Sequence, residues 1–106
     1  MLNKNLIIAT MFFLMLLAGG VQAGGDAAKG AKFAVECADC HGEDGKGDED
    51  IPGIAGLDAA THVKFLKEFK SGERSSEDDV MQEYTADLTD QEIADIAAYY
   101  ASFPAN

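Results

Sequence analysis

Cys37-Ala38-Asp39-Cys40-His41 constrains this chain more than any other stretch. Two thiols three positions apart, with a histidine directly after the second, form the pattern by which a haem is attached covalently. Each thiol adds to one vinyl group of the porphyrin, and the adjacent imidazole then meets the iron from the same side. The covalent bonds hold the cofactor, so the rest of the chain only has to wrap it.

Other uses of a Cys-x-x-Cys pair find little support. Structural zinc takes four ligands, commonly two such pairs or one pair followed by closely spaced histidines. The other histidine, His62, lies far from His41 and has no spaced partner. A redox dithiol of the thioredoxin kind sits in a βαβ setting, whereas the residues around Cys37 carry helical punctuation. One haem c is therefore the expected cofactor.

The N-terminal residues say where attachment takes place. Lys4 is followed by an almost unbroken apolar run from Leu6 to Ala18 and by the small-residue sequence Val21-Gln22-Ala23, so residues 1–23 read as a cleaved secretory signal peptide. The apolar core is shorter than the roughly 20 residues of a membrane span; an uncleaved anchor is the alternative. Export to the periplasm suits the chemistry, since haem attachment needs both cysteines reduced where assembly occurs and they need not be read as a disulfide.

The remaining domain, 24–106, is 83 residues long, close to the lower size at which a protein core suffices on its own. Haem supplies the missing apolar volume. Loss of Lys4 takes the net charge from −11 to −12 before any propionate is counted. Such a surface repels nucleic acid and anionic membranes; it suits a redox partner with a basic docking face, and equally it suits solubility.

The domain reads as all-α, without repeats or strand-like alternation. Asp26 is a candidate N-cap for an Ala-rich helix reaching about Cys37 and delivering the haem motif. Gly42 to Asp50, with three glycines and five acidic residues, reads as a solvated loop whose carboxylate spacing fails the EF-hand template. Residues 51–57 cannot be a regular helix because of Pro52, Gly53 and Gly56. A second helix is predicted after Asp58, ending at Ser71-Gly72. Ser75 to Asp79 then reads as the acidic first turn of a short third helix. Thr89-Asp90-Gln91-Glu92 is a capping box, and Ile93, Ile96, Ala97 and Tyr100 form the apolar stripe of a last helix that stops at Phe103-Pro104.

The iron needs a ligand on its second face. Of the four methionines, at positions 1, 11, 15 and 81, processing would leave only Met81. A thioether opposite an imidazole favours ferrous iron and raises the potential, as electron carriers require. Against this stand a core-filling role for Met81 beside Val80 and the competing ligand His62, whose commoner state would be a partly exposed surface histidine.

Taken in order, the haem motif, Gly42 and Gly45, Ile51-Pro52 with Ala55-Gly56, Lys70-Ser71-Gly72-Glu73-Arg74, Met81, Leu88 to Ile93 and Ala98-Tyr99-Tyr100 resemble the small bacterial class I cytochromes c. The likeness runs over the whole of 24–106. It is closest to the group holding the two-haem periplasmic cytochromes and the cytochrome subunit of flavocytochrome c sulfide dehydrogenase. The resemblance implies short helices around one haem, with the N- and C-terminal helices crossing. It also implies thioethers at Cys37 and Cys40, His41 as proximal ligand and Met81 as distal ligand. The Pro52 carbonyl would accept from the His41 imidazole and so orient it. Gly30 and Phe33 would let the first helix approach the last, against Tyr99 or Tyr100. Arg74 would be a candidate propionate partner, against the plainer reading of a solvated side chain.

Three functions follow from such a site: a free electron carrier, a haem-bearing subunit docked on a dehydrogenase, or a gas sensor or peroxidase. The last needs an open sixth position, which Met81 argues against. Nothing supplies a general base or nucleophile beside a vacant site, so the chain does not read as an enzyme by itself.

Overall fold

The computed structural model describes residues 24–105, and the signal peptide reading lies outside them. Among the described residues there are four α-helices and no strands: α1 (Ala27–His41), α2 (Ala59–Ser71), α3 (Val80–Thr85) and α4 (Asp90–Ala101), with a 3-10 turn over Glu77–Asp79. No helix among them is long and apolar enough to cross a membrane.

α1 starts where the Asp26 carboxylate accepts from the amides of Ala28 at 2.9 Å and Lys29 at 3.2 Å, satisfying donors that have no partner inside the helix. The Asp26 amide donates in turn to Asp95 Oδ1 at 2.7 Å, which ties the start of α1 to the middle of α4. α1 runs four residues beyond the predicted end and carries the whole haem motif on helix, stopping at Gly42, whose φ of 87° lies outside the range most side chains accept. α2 is capped by Asp58 and stopped by left-handed Gly72, as the pattern predicts.

The acidic stretch before Met81 differs from expectation. Asp78 and Asp79 both adopt left-handed backbone, φ 56° and 59°, so no continuous third helix forms. The chain makes a 3-10 turn, and α3 begins only at Val80.

In α4 the capping box is complete, with Thr89 and Glu92 each accepting from the other's backbone amide. Ile93, Ile96, Ala97 and Tyr100 are all buried. Burial of each of the three large side chains contributes about 1.5–3 kcal/mol. α4 is the centre of the domain: α1 and α2 both pack against it, with α3 against α2.

The α1–α4 crossing depends on Gly30, where a Cβ would run into the backbone of Asp95 and Ile96. Its partner is thus the middle of α4 rather than Tyr99 or Tyr100. Tyr100 packs farther along, edge-on to Tyr99 and tilted against His62.

Candidate haem site

Cys37 and Cys40 are free thiols one turn apart at the C-terminal end of α1. They are not equivalent. Cys40 is exposed, whereas Cys37 is partly covered and packs on the core, its Sγ 4.0 Å from the Tyr84 hydroxyl. Burial pushes the Cys37 thiol above its ordinary pKa, only partly offset by Tyr84 and Tyr100.

His41 ends α1 with its ring buried. Its Nδ1 lies 2.8 Å from the carbonyl oxygen of Pro52. A carbonyl can only accept, so Nδ1 carries the proton and Nε2 keeps its lone pair. That is the tautomer an iron ligand needs, with its orientation fixed from behind.

The loop from 42 to 57 makes this contact through its backbone. Gly47 donates from its amide to the His41 carbonyl at 2.7 Å, and Gly45 accepts at its own carbonyl from Ile54 and Ala55 at 2.7 and 2.9 Å. Gly56 donates to the Tyr100 carbonyl at 2.9 Å, which fastens the loop to α4. The Asp48 carboxylate accepts from Asp50 and Ile51 at 2.8 and 2.9 Å and shapes the turn leading into Pro52. Those two amides hold the Asp48 carboxyl below its ordinary pKa. At Gly47, φ is +67° and a Cβ would overlap Ile51 and Pro52. The acidic side chains of this loop are solvated as expected, but its glycines turn inward and Gly45 is buried. Sequence reasoning missed Gly47, for which the only signal was the repeated glycine.

Met81 is half-buried at the start of α3 and packs against the same core cluster as Cys37. Arg74 lies elsewhere: its guanidinium donates twice to Glu68 Oε1, at 2.9 and 3.1 Å, and stacks 4.0 Å over the Phe65 ring. Within the protein it already has a partner.

His62 is not the surface residue its sequence context suggested. It is 3% exposed, and its Nδ1 is a buried polar atom with no hydrogen-bond partner. Burial first, and the neighbouring His41 ring second, lower its pKa to about 4. Among the described residues no three His, Cys, Asp or Glu side chains converge as a cage for a bare metal ion.

These residues fit haem c. Two free thiols stand one turn apart, an oriented imidazole adjoins them, and Cys37 and Met81 both pack against the same apolar cluster. The family model for cytochrome c matches residues 27–103.

The chain belongs to the cytochrome c family. Members of this family bind haem c covalently, and in this cytochrome c Cys37 and Cys40 have the attachment spacing. It is 35% identical over 99 residues to cytochrome c4 of Pseudomonas aeruginosa, across 92% of this chain and 48% of that protein. It is also 35% identical over 74 residues to the cytochrome subunit of sulfide dehydrogenase of Chlorobaculum tepidum, across 70% of this chain and 66% of the other. The fold matches the crystal structure of reduced recombinant cytochrome c4 from Pseudomonas stutzeri with a TM-score of 0.68 and 23% identity, over 76% of this chain and 52% of that one. This cytochrome c thus spans about half the length of the cytochromes c4 it matches.

Proposed function

We propose that this cytochrome c is a periplasmic one-electron carrier, exported by a cleaved signal peptide, with residues 24–106 wrapped around a single haem. Cys37 and Cys40 hold the group, His41 is its proximal ligand and Met81 its distal ligand. Bound haem supplies one iron that accepts a single electron and returns it. The protein's part is to bind, orient and shield. The Pro52 carbonyl fixes the His41 ring, the buried face of α4 excludes water, and Met81 closes the second side of the iron against exogenous ligands. With both faces filled, no position remains for a substrate, and the chain acts by passing electrons between proteins rather than by catalysis of its own.

The His41 to Pro52 hydrogen bond carries this reading, because it orients the imidazole that directly follows the two thiols and holds its proton on Nδ1. Met81 follows by supply, being the only methionine beyond residues 1–23. His62 is a weaker candidate for the distal role. Its ring is enclosed between α2 and α4 against Tyr100, with a negligible exposed fraction.

A second reading, a subunit docked on a dehydrogenase, is supported by the likeness to the cytochrome subunit of sulfide dehydrogenase. Purification from native periplasm separates the two readings. A carrier elutes alone, whereas a subunit brings its catalytic partner with it.

The ligand set is tested by Met81→Ala and His62→Ala in the haem-loaded protein. Met81→Ala is expected to keep covalent haem, lose the sulfur-to-iron absorption band of the ferric state, lower the potential and admit exogenous ligands. His62→Ala is expected to do none of these. The reverse pattern would overturn the axial assignment. Intact mass of the exported protein tests the rest: chain 24–106 plus one haem is expected.

A further inference from the structure

The backbone leading to Met81 is held by an arrangement the helix pattern does not require. A helix start is ordinarily capped by the side chain just before it. Here that residue is Asp79, which is left-handed and makes no capping bond to the helix amides. The amide of Met81 donates instead to Ser76 Oγ, five residues upstream, at 3.0 Å.

The Ser76 hydroxyl is itself locked. It donates to Gln82 Oε1 at 2.6 Å, and the Ser76 amide donates to the same oxygen at 3.1 Å. The Gln82 carboxamide then gives its Nε2 proton to Asp79 Oδ1 at 2.8 Å. One side-chain amide therefore joins both ends of the segment that contains the left-handed pair Asp78 and Asp79. On the other side of Met81, its carbonyl accepts from the fully buried Thr85 hydroxyl at 2.7 Å. Both polar backbone groups of Met81 are thus gripped by hydroxyl side chains.

Two consecutive non-glycine residues in left-handed backbone persist only where the surroundings over-determine them. The Ser76–Gln82 clamp is the over-determining element here, and it lies next to the one methionine assigned to iron.

We propose that Ser76 is a positioning residue for Met81: its hydroxyl, held by Gln82, fixes the backbone from which the distal thioether projects and sets how readily that thioether gives way. This rests on the reading of Met81 as distal ligand. Binding of an external ligand competes with Met81, so its apparent affinity scales with the fraction of molecules in which Met81 has let go. Loosening the clamp raises that fraction.

Imidazole binding to the ferric haem-loaded protein is the measurement, with the potential and the sulfur-to-iron band read in parallel. Ser76→Ala is expected to tighten imidazole binding about tenfold and lower the potential while the band persists without imidazole. Ser76→Thr, which keeps the hydroxyl, is expected to stay within about twofold of the parent. Gln82→Leu, which frees the Ser76 hydroxyl, is expected to move in the same direction as Ser76→Ala and serves if that variant fails to fold. Gly72→Ala strains the end of α2 away from the clamp and should leave imidazole affinity unchanged.

Parental imidazole affinity and potential in Ser76→Ala and Gln82→Leu, with Met81→Ala responding strongly, would overturn the clamp and leave the ligand standing. An unresponsive Met81→Ala would remove the ligand and the clamp's role together.

Discussion

His41 Nδ1 and the carbonyl oxygen of Pro52 lie 2.8 Å apart, so a helix end and a loop eleven residues on meet through one hydrogen bond. The acceptor is backbone, and substitution at Pro52 acts on it only through the stiffness of the loop. Pro52→Ala is therefore expected to shift the reduction potential while the low-spin spectrum is kept. Loss of the ring's restriction on the unfolded chain should also cost about 0.4–1 kcal/mol of stability. Voltammetry and denaturant unfolding of the same sample check both parts. An unchanged potential would show that the proline serves only the turn.

Gly30→Ala should be among the most damaging small substitutions in the domain. The added methyl meets the Asp95 backbone, which cannot move without parting α1 from α4. Overpacking of this kind costs typically about 1–3 kcal/mol, and rigid backbone on the far side places this site at the upper end. Gly72→Ala faces open space. It pays only for its left-handed conformation, about 1 kcal/mol. Unfolding midpoints of the two variants should rank in that order.

His62 gives the fold a defined acid limb. Its pKa falls from 6.5 to about 4 on folding because burial disfavours the charged ring, so the native state binds the proton less well than the unfolded chain. Above pH 6.5 the ring is neutral in both states and costs nothing; as the pH falls from 6.5 the unfolded chain takes up the proton first, so stability is lost progressively down to about pH 4 and no further below it. His62→Leu removes both the titration and the unpartnered nitrogen. The variant should be as stable as the parent or more stable at pH 7, by as much as about 1–3 kcal/mol. It should also lose less stability between pH 6.5 and 4, as measured by unfolding across that range. An acid limb unchanged in His62→Leu would assign it to carboxylates such as Asp95. Asp95 is held below its ordinary pKa chiefly by the Asp26 amide, and its contribution likewise disappears as the pH falls.

Association with a redox partner should be steered by charge. With a formal net charge of −11 over the whole chain, the rate of reaction with a partner bearing a basic face should fall as salt rises. Screening acts over about 10 Å at 0.1 M ionic strength. Stopped-flow rates at increasing ionic strength measure this. A flat or rising profile would show that the acidity serves solubility alone.

The haem motif, the caps at Asp26, Asp58 and Thr89, and the Ile93 to Tyr100 stripe were legible in the sequence because each is a local rule, acting over one or two helical turns. Spacing alone fixes which side chains share a helix face. The same locality explains the error over Glu77 to Asp79, where acidic residues suit a helix N-terminus by charge, while in the fold Asp78 and Asp79 take left-handed backbone beneath the Ser76–Gln82 hydrogen bond. His62 looked like a surface residue because its neighbours in sequence are polar or small. Its burial comes with the packing of α2 on α4, where the Tyr100 ring, distant in the chain, lies against it. Residue type and short spacing thus determined that two thiols and an imidazole would stand together at one helix end. Only tertiary packing decided how that imidazole is oriented and how closely α1 approaches α4 over Gly30, because those contacts join segments that no local periodicity relates.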